Sequence, residues 1–405
     1  MEIKNIEFSE YCCLNRPLMR IDEESDAQWF FGNKEVEQRV LERIASDFNT
    51  RGTPKCGILG RWGIGKTHTL NHLRWLFETK PQKYRTQPVK MLLAPWDDGN
   101  PRGNNWGYIH RKMMDAIGEH VLREVVVAFD KMPQARTQNL AKAMEAIFKF
   151  GDANIKYSLS VILAENFLRE QQKSTAAAWE WLRGDKVSIA DLGVNRVVES
   201  VQDMVDVIRN IGVLAKTSRG LGFTFFIDEA HALGDVKKKK SEIHYGFKEL
   251  ADPTNSDVGY ILAIFGGGMN AVPPVLTDPK DILDRMGVTQ QTMHEAIIEL
   301  KDVTAAESDL MEFAKNVLQN LKHVDKAKSM ISEMNLGSKT TPDLLPFTQD
   351  GLKEVVDRLK QKEETKTPRL IIDNLATTSN KAYQESKLHN SYVLVDATFA
   401  RKVLP

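Results

Sequence analysis

The sequence is poor in the features that mark secreted, zinc-bound or membrane-spanning proteins. It has only three cysteines, Cys12, Cys13 and Cys56, and no two of them have the spacing of zinc ligands. No stretch reaches the roughly eighteen uncharged apolar residues that a membrane span requires, and the N-terminal residues mix charged and apolar groups unlike a signal peptide. We therefore expect a cytoplasmic protein with reduced thiols and no membrane partner.

The sequence also lacks an excess of charge of either sign. Its 55 basic residues balance 55 acidic residues, so the formal net charge is zero. This excludes a global basic field that would hold nucleic acid without regard to its sequence. DNA stays possible as a partner through a local patch. The lysine run 237–240 is either such a patch or, more simply, a solvated loop.

One glycine-rich segment has the complete pattern of a phosphate-binding loop, G-x-x-x-x-G-K-[ST]. It follows the apolar run 56–59, which predicts a buried strand, and precedes a predicted helix from about 66 to 78. Glycines let the backbone curl so that successive N–H groups face the phosphates, and the helix N-terminus adds a positive end. We expect Lys66 to reach the β and γ phosphates of ATP and Thr67 to bind Mg²⁺. The predicted phosphate-binding residues are Gly60, Arg61, Trp62, Gly63, Ile64, Gly65, Lys66, Thr67 and His68.

A second apolar run, 223–227, ends in the two carboxylates Asp228 and Glu229. A carboxylate at the end of a parallel strand can hold Mg²⁺, and we assign this role to Asp228. The next carboxylate can polarise an attacking water, which makes Glu229 the predicted catalytic base. Residues 228–231 also read Asp-Glu-Ala-His, a helicase signature, but no further helicase motifs are evident and His231 is expected at the start of the next helix.

Apolar runs that alternate with helical segments favour an α/β fold built on a parallel sheet. The predicted strands are 56–59, 90–94, 222–227 and 260–265, with 392–395 as a short strand or a docking segment. Trp179 and Trp181 lie in a mostly helical region and are most simply core aromatics, or else part of a partner-docking surface. The predicted domains are an N-terminal extension at 1–29, a core at 30–110 and 206–290, a helical insertion at 111–205, a helical lid at 291–390 and a tail at 391–405.

These motifs resemble those of the additional-strand P-loop ATPases, meaning the AAA+ and STAND group and the related KAP family. Residues 63–67 are similar to the loops of STAND and origin-initiator ATPases, and residues 60–63 to the start of KAP loops. Residues 31–35 are similar to the Phe-x-Gly-Arg-x-x-Glu opening of initiator-like ATPases, with Asn33 in place of the arginine, and Pro95-Trp96 to a dipeptide after the second KAP strand. The resemblance implies an AAA+-like P-loop NTPase core with a helical insertion and a C-terminal helical lid, which binds ATP and Mg²⁺.

The same resemblance implies three further site residues. Asn270 follows the strand at 260–265 and is the candidate for the polar residue called sensor 1. Arg285 lies where an AAA+ subunit would contribute an arginine finger to its neighbour, with a solvated helix residue as the alternative. Arg369, in the sequence Thr-Pro-Arg-Leu, is similar to the arginine called sensor 2, which begins the last lid helix.

Three functional hypotheses follow from the sequence. The first is an ATP-hydrolysing switch or motor that forms a homo-oligomer and couples turnover to DNA or to a partner protein docked on the insertion, in a mobile-element or antiviral-defence setting. The second is a KAP-like or STAND-like scaffold switch with slow turnover. The third is a nucleotide-binding structural subunit with little catalysis.

Overall fold

The computed structural model describes residues 3–17, 19, 21–22, 24–30, 34–93, 105–137, 139–168, 172–235, 240–266, 272, 296–300, 307–361 and 367–404. The chain divides into two units. Unit 1 comprises Met1–Glu37, Arg61–His72 and Leu300–Pro405, and unit 2 comprises Gln38–Gly60 and Leu73–Glu299.

The described part of unit 2 contains a parallel sheet with the strand order β2-β3-β4-β1-β5. Its strands are β1 (Lys55–Gly60), β2 (Thr86–Leu92), β3 (Gly222–Asp228), β4 (Val258–Phe265) and β5 (Ile297–Glu299). Every residue of β1 and β3 is buried, as expected of parallel strands that are covered on both faces. The α/β fold with a parallel sheet is therefore confirmed, and the first four strands were predicted to within a few residues. The short β5 lies in the segment that the sequence assigns to the lid.

The register of the sheet places the ends of β1 and β3 at the same edge. Gly60, the last residue of β1, is opposite Phe265 at the end of β4. On its other side, β4 pairs with β3, and Leu262 is opposite Ile227, the residue before Asp228. Because neighbouring strands are about 4.8 Å apart, the carboxyl ends of β1 and β3 are separated by roughly two such spacings.

Helices make up most of the rest of the described chain. In chain order they are α1 (Phe8–Tyr11), α2 (Lys34–Arg51), α3 (Lys66–Thr79), α4 (Pro81–Tyr84), α5 (Trp106–Ile117), α6 (Glu119–Asp130), α7 (Pro133–Thr137), α8 (Leu140–Ile147), α9 (Ala153–Val161), α10 (Gln172–Leu182), α11 (Ile189–Leu192), α12 (Val201–Arg219), α13 (Lys240–Ala251), α14 (Glu307–Leu321), α15 (Val324–Glu333), α16 (Gln349–Gln361), α17 (Pro368–His389) and α18 (Ala397–Val403). A π-helical segment, Ile162–Phe167, continues α9, and 3₁₀ helices span Ile3–Asn5 and Ala230–Asp235. No described helix is long and apolar enough to span a membrane.

Local side-chain chemistry fixes where α5 and α12 begin and where α12 ends. The side chain of Asn105 accepts a hydrogen bond from the N–H of Tyr108 and so caps α5. Ser200 and Asp203 form a reciprocal capping box at the start of α12. Gly220, with φ at +73°, ends α12 in the left-handed conformation that glycine adopts without strain, and β3 begins two residues later.

The insertion shares one hydrophobic core with the sheet of unit 2. Trp181 is fully buried in this core, and its indole N–H donates a hydrogen bond to the carbonyl of Arg196 at 2.8 Å. Trp179 is partly buried, and its ring centroid lies 6.2 Å from that of Phe167. The interpretation of these two tryptophans as core aromatics fits this packing, because Trp181 has no surface to offer a partner.

Unit 1 has its own core, formed by the N-terminal residues together with α14 and α16–α18. The ring of Tyr11 stacks on Tyr392 with centroids 4.6 Å apart. Lys322 is buried, and its ammonium donates hydrogen bonds to the carbonyls of Cys12 and Leu345. Val395 is also buried and pairs with Phe347 in a single β-bridge, so the segment 392–395 packs against the helices without forming a strand. The domain boundaries drawn from the sequence remain a prediction.

Candidate nucleotide site

The segment that joins β1 to α3 has the backbone of an anion-binding loop. β1 ends at Gly60 and α3 begins at Lys66, so the turn is made by residues 61–65. Gly63 has φ at +76° and Gly65 at +99°, values that other residues adopt only with strain. The N–H groups in the first turn of α3 have no carbonyl within their own helix to bind. Together with the positive end of the helix dipole, they form a site suited to a phosphate.

The side chain of Lys66 reaches back over this loop. Its ammonium donates a hydrogen bond to the carbonyl oxygen of Arg61 at 3.0 Å. At the next turn of α3, Thr69 binds the carbonyl of Gly65 through both its N–H and its hydroxyl, at 2.8 and 2.9 Å. These contacts hold both ends of the loop against the helix that follows it.

Some side chains in and beside the phosphate loop are exposed, and others are buried or hydrogen-bonded to neighbouring residues. Ile64 is buried and fixes the middle of the loop, whereas Trp62 is 62% exposed. His68 has its Nε2 atom 2.8 Å from the carbonyl oxygen of Trp29, and burial lowers its pKa. This ring nitrogen of His68 is therefore engaged within unit 1.

The loop also contacts the beginning of α17, within unit 1. A Cβ atom built on Gly63 would lie 3.3 Å from Oγ1 of Thr367 and 3.5 Å from Cβ of Arg369. Thr367 is the N-cap of α17, since its hydroxyl accepts a hydrogen bond from the N–H of Leu370 at 3.3 Å. The side chain of Arg369 is exposed and pairs with no carboxylate among the described residues. The structure thus brings Arg369 to the phosphate loop.

The carboxylates predicted for magnesium and water follow β3 in unit 2. Asp228 is its last residue, is only 9% exposed, and accepts a hydrogen bond from the N–H of Glu229 at 2.8 Å. Glu229 has φ at +57°, in the left-handed region that residues other than glycine rarely adopt. Its carboxylate lies 3.2 Å from Nδ1 of His231. His231 falls in the 3₁₀ helix Ala230–Asp235, close to the helix start that was predicted for it.

Several predicted residues lie outside the described part of the chain. They are Asn270, Arg285, Lys237 to Lys239, Pro95, Trp96 and the segment from Phe31 to Asn33. Their roles as sensor, arginine finger, basic patch or family signature therefore remain predictions from the sequence. The contact of His231 with Glu229 has no signal in the sequence, because the motif shows only that the two are two residues apart and not that the backbone turns one toward the other.

The order of the strands decides the type of fold. β4 lies between β1, which leads into the phosphate loop, and β3, which ends in Asp228. A strand inserted at this point is the feature for which the additional-strand group is named. The strand order therefore agrees with the parallel-sheet P-loop fold that the sequence predicts.

Comparisons with known proteins add distant likenesses. No protein-family profile matches the chain, and no curated protein sequence matches it. Among solved structures, it is similar to the Aeropyrum pernix ORC2 protein in ADPNP and ADP complexes, with 10% identity and a TM-score of 0.48 over 92% of this chain and 66% of that chain. The Aeropyrum pernix ORC1 protein in complex with DNA gives 10% identity and a TM-score of 0.41 over 91% of this chain and 64% of that chain.

A third similar structure is the Thermotoga maritima RuvB Holliday junction branch migration motor, with 11% identity and a TM-score of 0.35 over 92% of this chain and 68% of that chain. At sequence identities this low, the similarity to these structures concerns the fold alone and not the function. The chain spans less than two thirds of the length of the two ORC proteins, at 66% and 64%.

Proposed function

We propose that this chain binds ATP with Mg²⁺ and hydrolyses it, as a molecular switch or motor. The observation that carries the proposal is the loop between β1 and α3. Two glycines with positive φ and the N-terminus of a fourteen-residue helix make an anion site directly after a buried parallel strand. In the sheet of unit 2, β3 ends at Asp228 and is followed by Glu229, at the same edge at which β1 ends.

The reaction needs a base, and Glu229 is the group proposed for it. In the reaction the oxygen of a water molecule forms a bond to the γ phosphorus, while the bond between that phosphorus and the bridging oxygen of ADP breaks. Glu229 accepts a proton from the water, and the products are ADP and inorganic phosphate. Its carboxylate is about one third exposed, at 35%, so a water can reach it.

The residues present fit a magnesium ion that arrives with the nucleotide. Magnesium in such sites is usually held by one or two protein groups together with substrate phosphates and water. The described residues include no group of three or more His, Cys, Asp and Glu placed to hold a metal ion by themselves. Asp228 is held in place by the N–H of Glu229, and Thr67 lies in the first turn of α3. As assigned from the sequence, Asp228 and Thr67 are proposed to hold the ion, which would neutralise charge on the β and γ phosphates.

Arg369 is proposed to stabilise the charge that develops on the γ phosphate. Its Cβ atom lies beside the position of a Cβ on Gly63, and the residue is exposed, so its guanidinium can turn toward a bound phosphate. An arginine that binds the transferred phosphoryl group links hydrolysis to the position of the helix that carries it. In this proposal, loss of the γ phosphate would release α17.

A further proposal concerns assembly and partners. We propose a homo-oligomer in which Arg285 reaches a neighbouring site, and a DNA or protein partner in a mobile-element or defence system. DNA is named because the ORC1 structure is a DNA complex and RuvB is a branch migration motor. A scaffold switch with slow turnover and a structural subunit without catalysis remain the alternatives.

The test is ATP turnover per chain, measured at increasing protein concentration with and without duplex DNA. Lys66→Ala is expected to abolish triphosphate binding, and Glu229→Gln is expected to retain ATP without hydrolysing it. Lys80→Ala, a substitution of an exposed lysine just after α3, serves as the matched control and should behave as wild type. Turnover that persists in both site variants would contradict the proposal. A specific rate that rises with concentration supports an arginine supplied in trans, and a flat rate favours the scaffold switch.

A further inference from the structure

His231 is held beside the proposed catalytic carboxylate by the turn that follows β3. Glu229 adopts its left-handed conformation, with φ at +57°, directly after the strand. The carbonyl of Glu229 then accepts a hydrogen bond from the N–H of Ala232 at 3.0 Å, which closes the first turn of the 3₁₀ helix. This turn brings the side chains of Glu229 and His231 to the same side, with Oε2 of the carboxylate 3.2 Å from Nδ1 of the imidazole.

A second contact fixes the plane of the imidazole. The ring of His231 meets Phe265 in an edge-to-face arrangement, with centroids 5.6 Å apart and an angle of 62°. Phe265 is the last residue of β4, the neighbour of β3 in the sheet. The imidazole is therefore positioned by the ends of two adjacent strands, and its Nδ1 edge faces Glu229.

Nδ1 of His231 is itself buried and has no well-aligned hydrogen bond among the described residues. Oε2 of Glu229, at 3.2 Å, is within reach but off the ideal angle, so a small rotation of either side chain would complete the bond. A buried polar atom without an aligned partner costs free energy, which favours that rotation. The Nδ1–H group would then donate to one carboxylate oxygen and leave the other for a water molecule.

We propose that His231 is a positioning residue for Glu229: it holds Oε2 of the carboxylate and so directs Oε1 toward the attacking water. The inference rests on the proposed ATPase function and deepens it. In this proposal Glu229 and Asp228 keep their roles, and His231 acts only through Glu229. Because the bond acts on the carboxylate rather than on the nucleotide, His231 governs kcat and leaves ATP affinity unchanged.

Three substitutions of His231 distinguish the effect of the Nδ1–H donor from the effect of packing a ring against Phe265. His231→Phe keeps a ring against Phe265 but removes the donor. His231→Asn retains an N–H group at the position of Nδ1, whereas His231→Gln places its amide near the position of Nε2. We expect kcat to fall about 10- to 100-fold in the Phe and Gln variants, a loss typical of removing a group that orients a functional side chain. The Asn variant should recover most of the wild-type rate, and the KM for ATP should stay within about twofold in all three.

The experiment measures kcat and KM for ATP in the full chain, together with nucleotide affinity and melting temperature. Equal kcat in wild type and the Phe variant would overturn the inference, as would equal kcat in the Asn and Gln variants. The second comparison decides the matter if the Phe variant does not fold. Glu229→Gln is measured in parallel: if it hydrolyses ATP like wild type, the proposed function fails. If it is inactive while all His231 variants are fully active, only the role of His231 fails.

Discussion

Gly63 in the phosphate loop lies against Arg369 at the start of α17, such that a Cβ atom on the glycine would be 3.5 Å from the Cβ of the arginine. Thr367, the N-cap of the same helix, is closer still at 3.3 Å. A contact this tight leaves no room for a larger residue unless its neighbours move. The glycine therefore serves two purposes, since it permits the positive φ of the loop and admits the start of α17.

The first prediction is that Gly63→Ala lowers both stability and ATP affinity. The left-handed conformation costs a residue with a Cβ atom about 1 to 2 kcal/mol, and the new methyl group would press on Thr367. Gly193→Ala is the matched control, because Gly193 has φ at +66° but nothing within 4 Å of its Cβ position. Denaturant unfolding and ATP titration should show a stability loss in both variants and an affinity loss in Gly63→Ala alone. Unchanged ATP affinity in Gly63→Ala would argue against the loop as the nucleotide site.

Arg369→Ala is predicted to lower kcat on the order of 10²-fold with little change in stability. The guanidinium is exposed and makes no ion pair within the described residues, so its removal breaks no structural contact. A donor aimed at charge that develops in the transition state typically contributes a factor of this size. Lys381→Ala, an exposed basic residue on the same helix, should leave turnover unchanged. Equal rates for the two variants would exclude Arg369 from the site.

Glu229→Gly should abolish turnover and yet leave the protein as stable as wild type, or up to about 1 kcal/mol more stable. Glycine adopts a φ of +57° without strain, so the substitution relieves the backbone while it deletes the carboxylate. Glu42→Gly is the contrast, because Glu42 lies inside α2, where glycine costs about 1 kcal/mol. Denaturant unfolding measures the change in the free energy of unfolding for both variants. If Glu229→Gly loses as much stability as Glu42→Gly, the left-handed conformation at Glu229 carries no strain.

The buried His110 predicts a loss of stability in mild acid. Its Nε2 atom lies 2.7 Å from the carbonyl oxygen of Leu182, and burial lowers the pKa of His110 to about 4. In the unfolded chain the pKa of a histidine is about 6.5. Between these values the unfolded state binds a proton that the folded state does not, so the free energy of unfolding falls as pH decreases from about 6.5 to 4.

This group alone should contribute a decrease of about 3 kcal/mol across that range. Urea unfolding at several pH values measures the effect, and His110→Gln should have a shallower dependence than wild type because glutamine does not titrate. His120→Gln is the control, since His120 is 85% exposed at its side chain and should change the slope little. Identical slopes in wild type and His110→Gln would show that folding does not lower the pKa of this histidine.

The elements that the sequence predicted well are those whose cause is local. Three of the four long strands, β1, β3 and β4, contain the apolar runs 56–59, 223–227 and 260–265, and the phosphate loop requires glycine where φ is positive, at Gly63 and Gly65. By contrast, β5 has only three residues, too few for a periodicity, and it was missed. The N-terminal residues were set apart as an extension because their burial in the core of unit 1 follows no helical or strand period.

The sequence by itself determined the residues on which the proposed chemistry depends: a glycine loop for phosphate, two carboxylates after an apolar strand, and an α/β alternation that predicts a parallel sheet. These depend on residue types within a few positions of one another. Only the tertiary structure decided that β4 lies between β1 and β3, that Arg369 meets Gly63, and that the imidazole of His231 faces Glu229. The first two join residues far apart in the chain, whose pairing depends on packing of the whole unit. The third depends on the left-handed backbone conformation at Glu229, which the residue types around it do not predict.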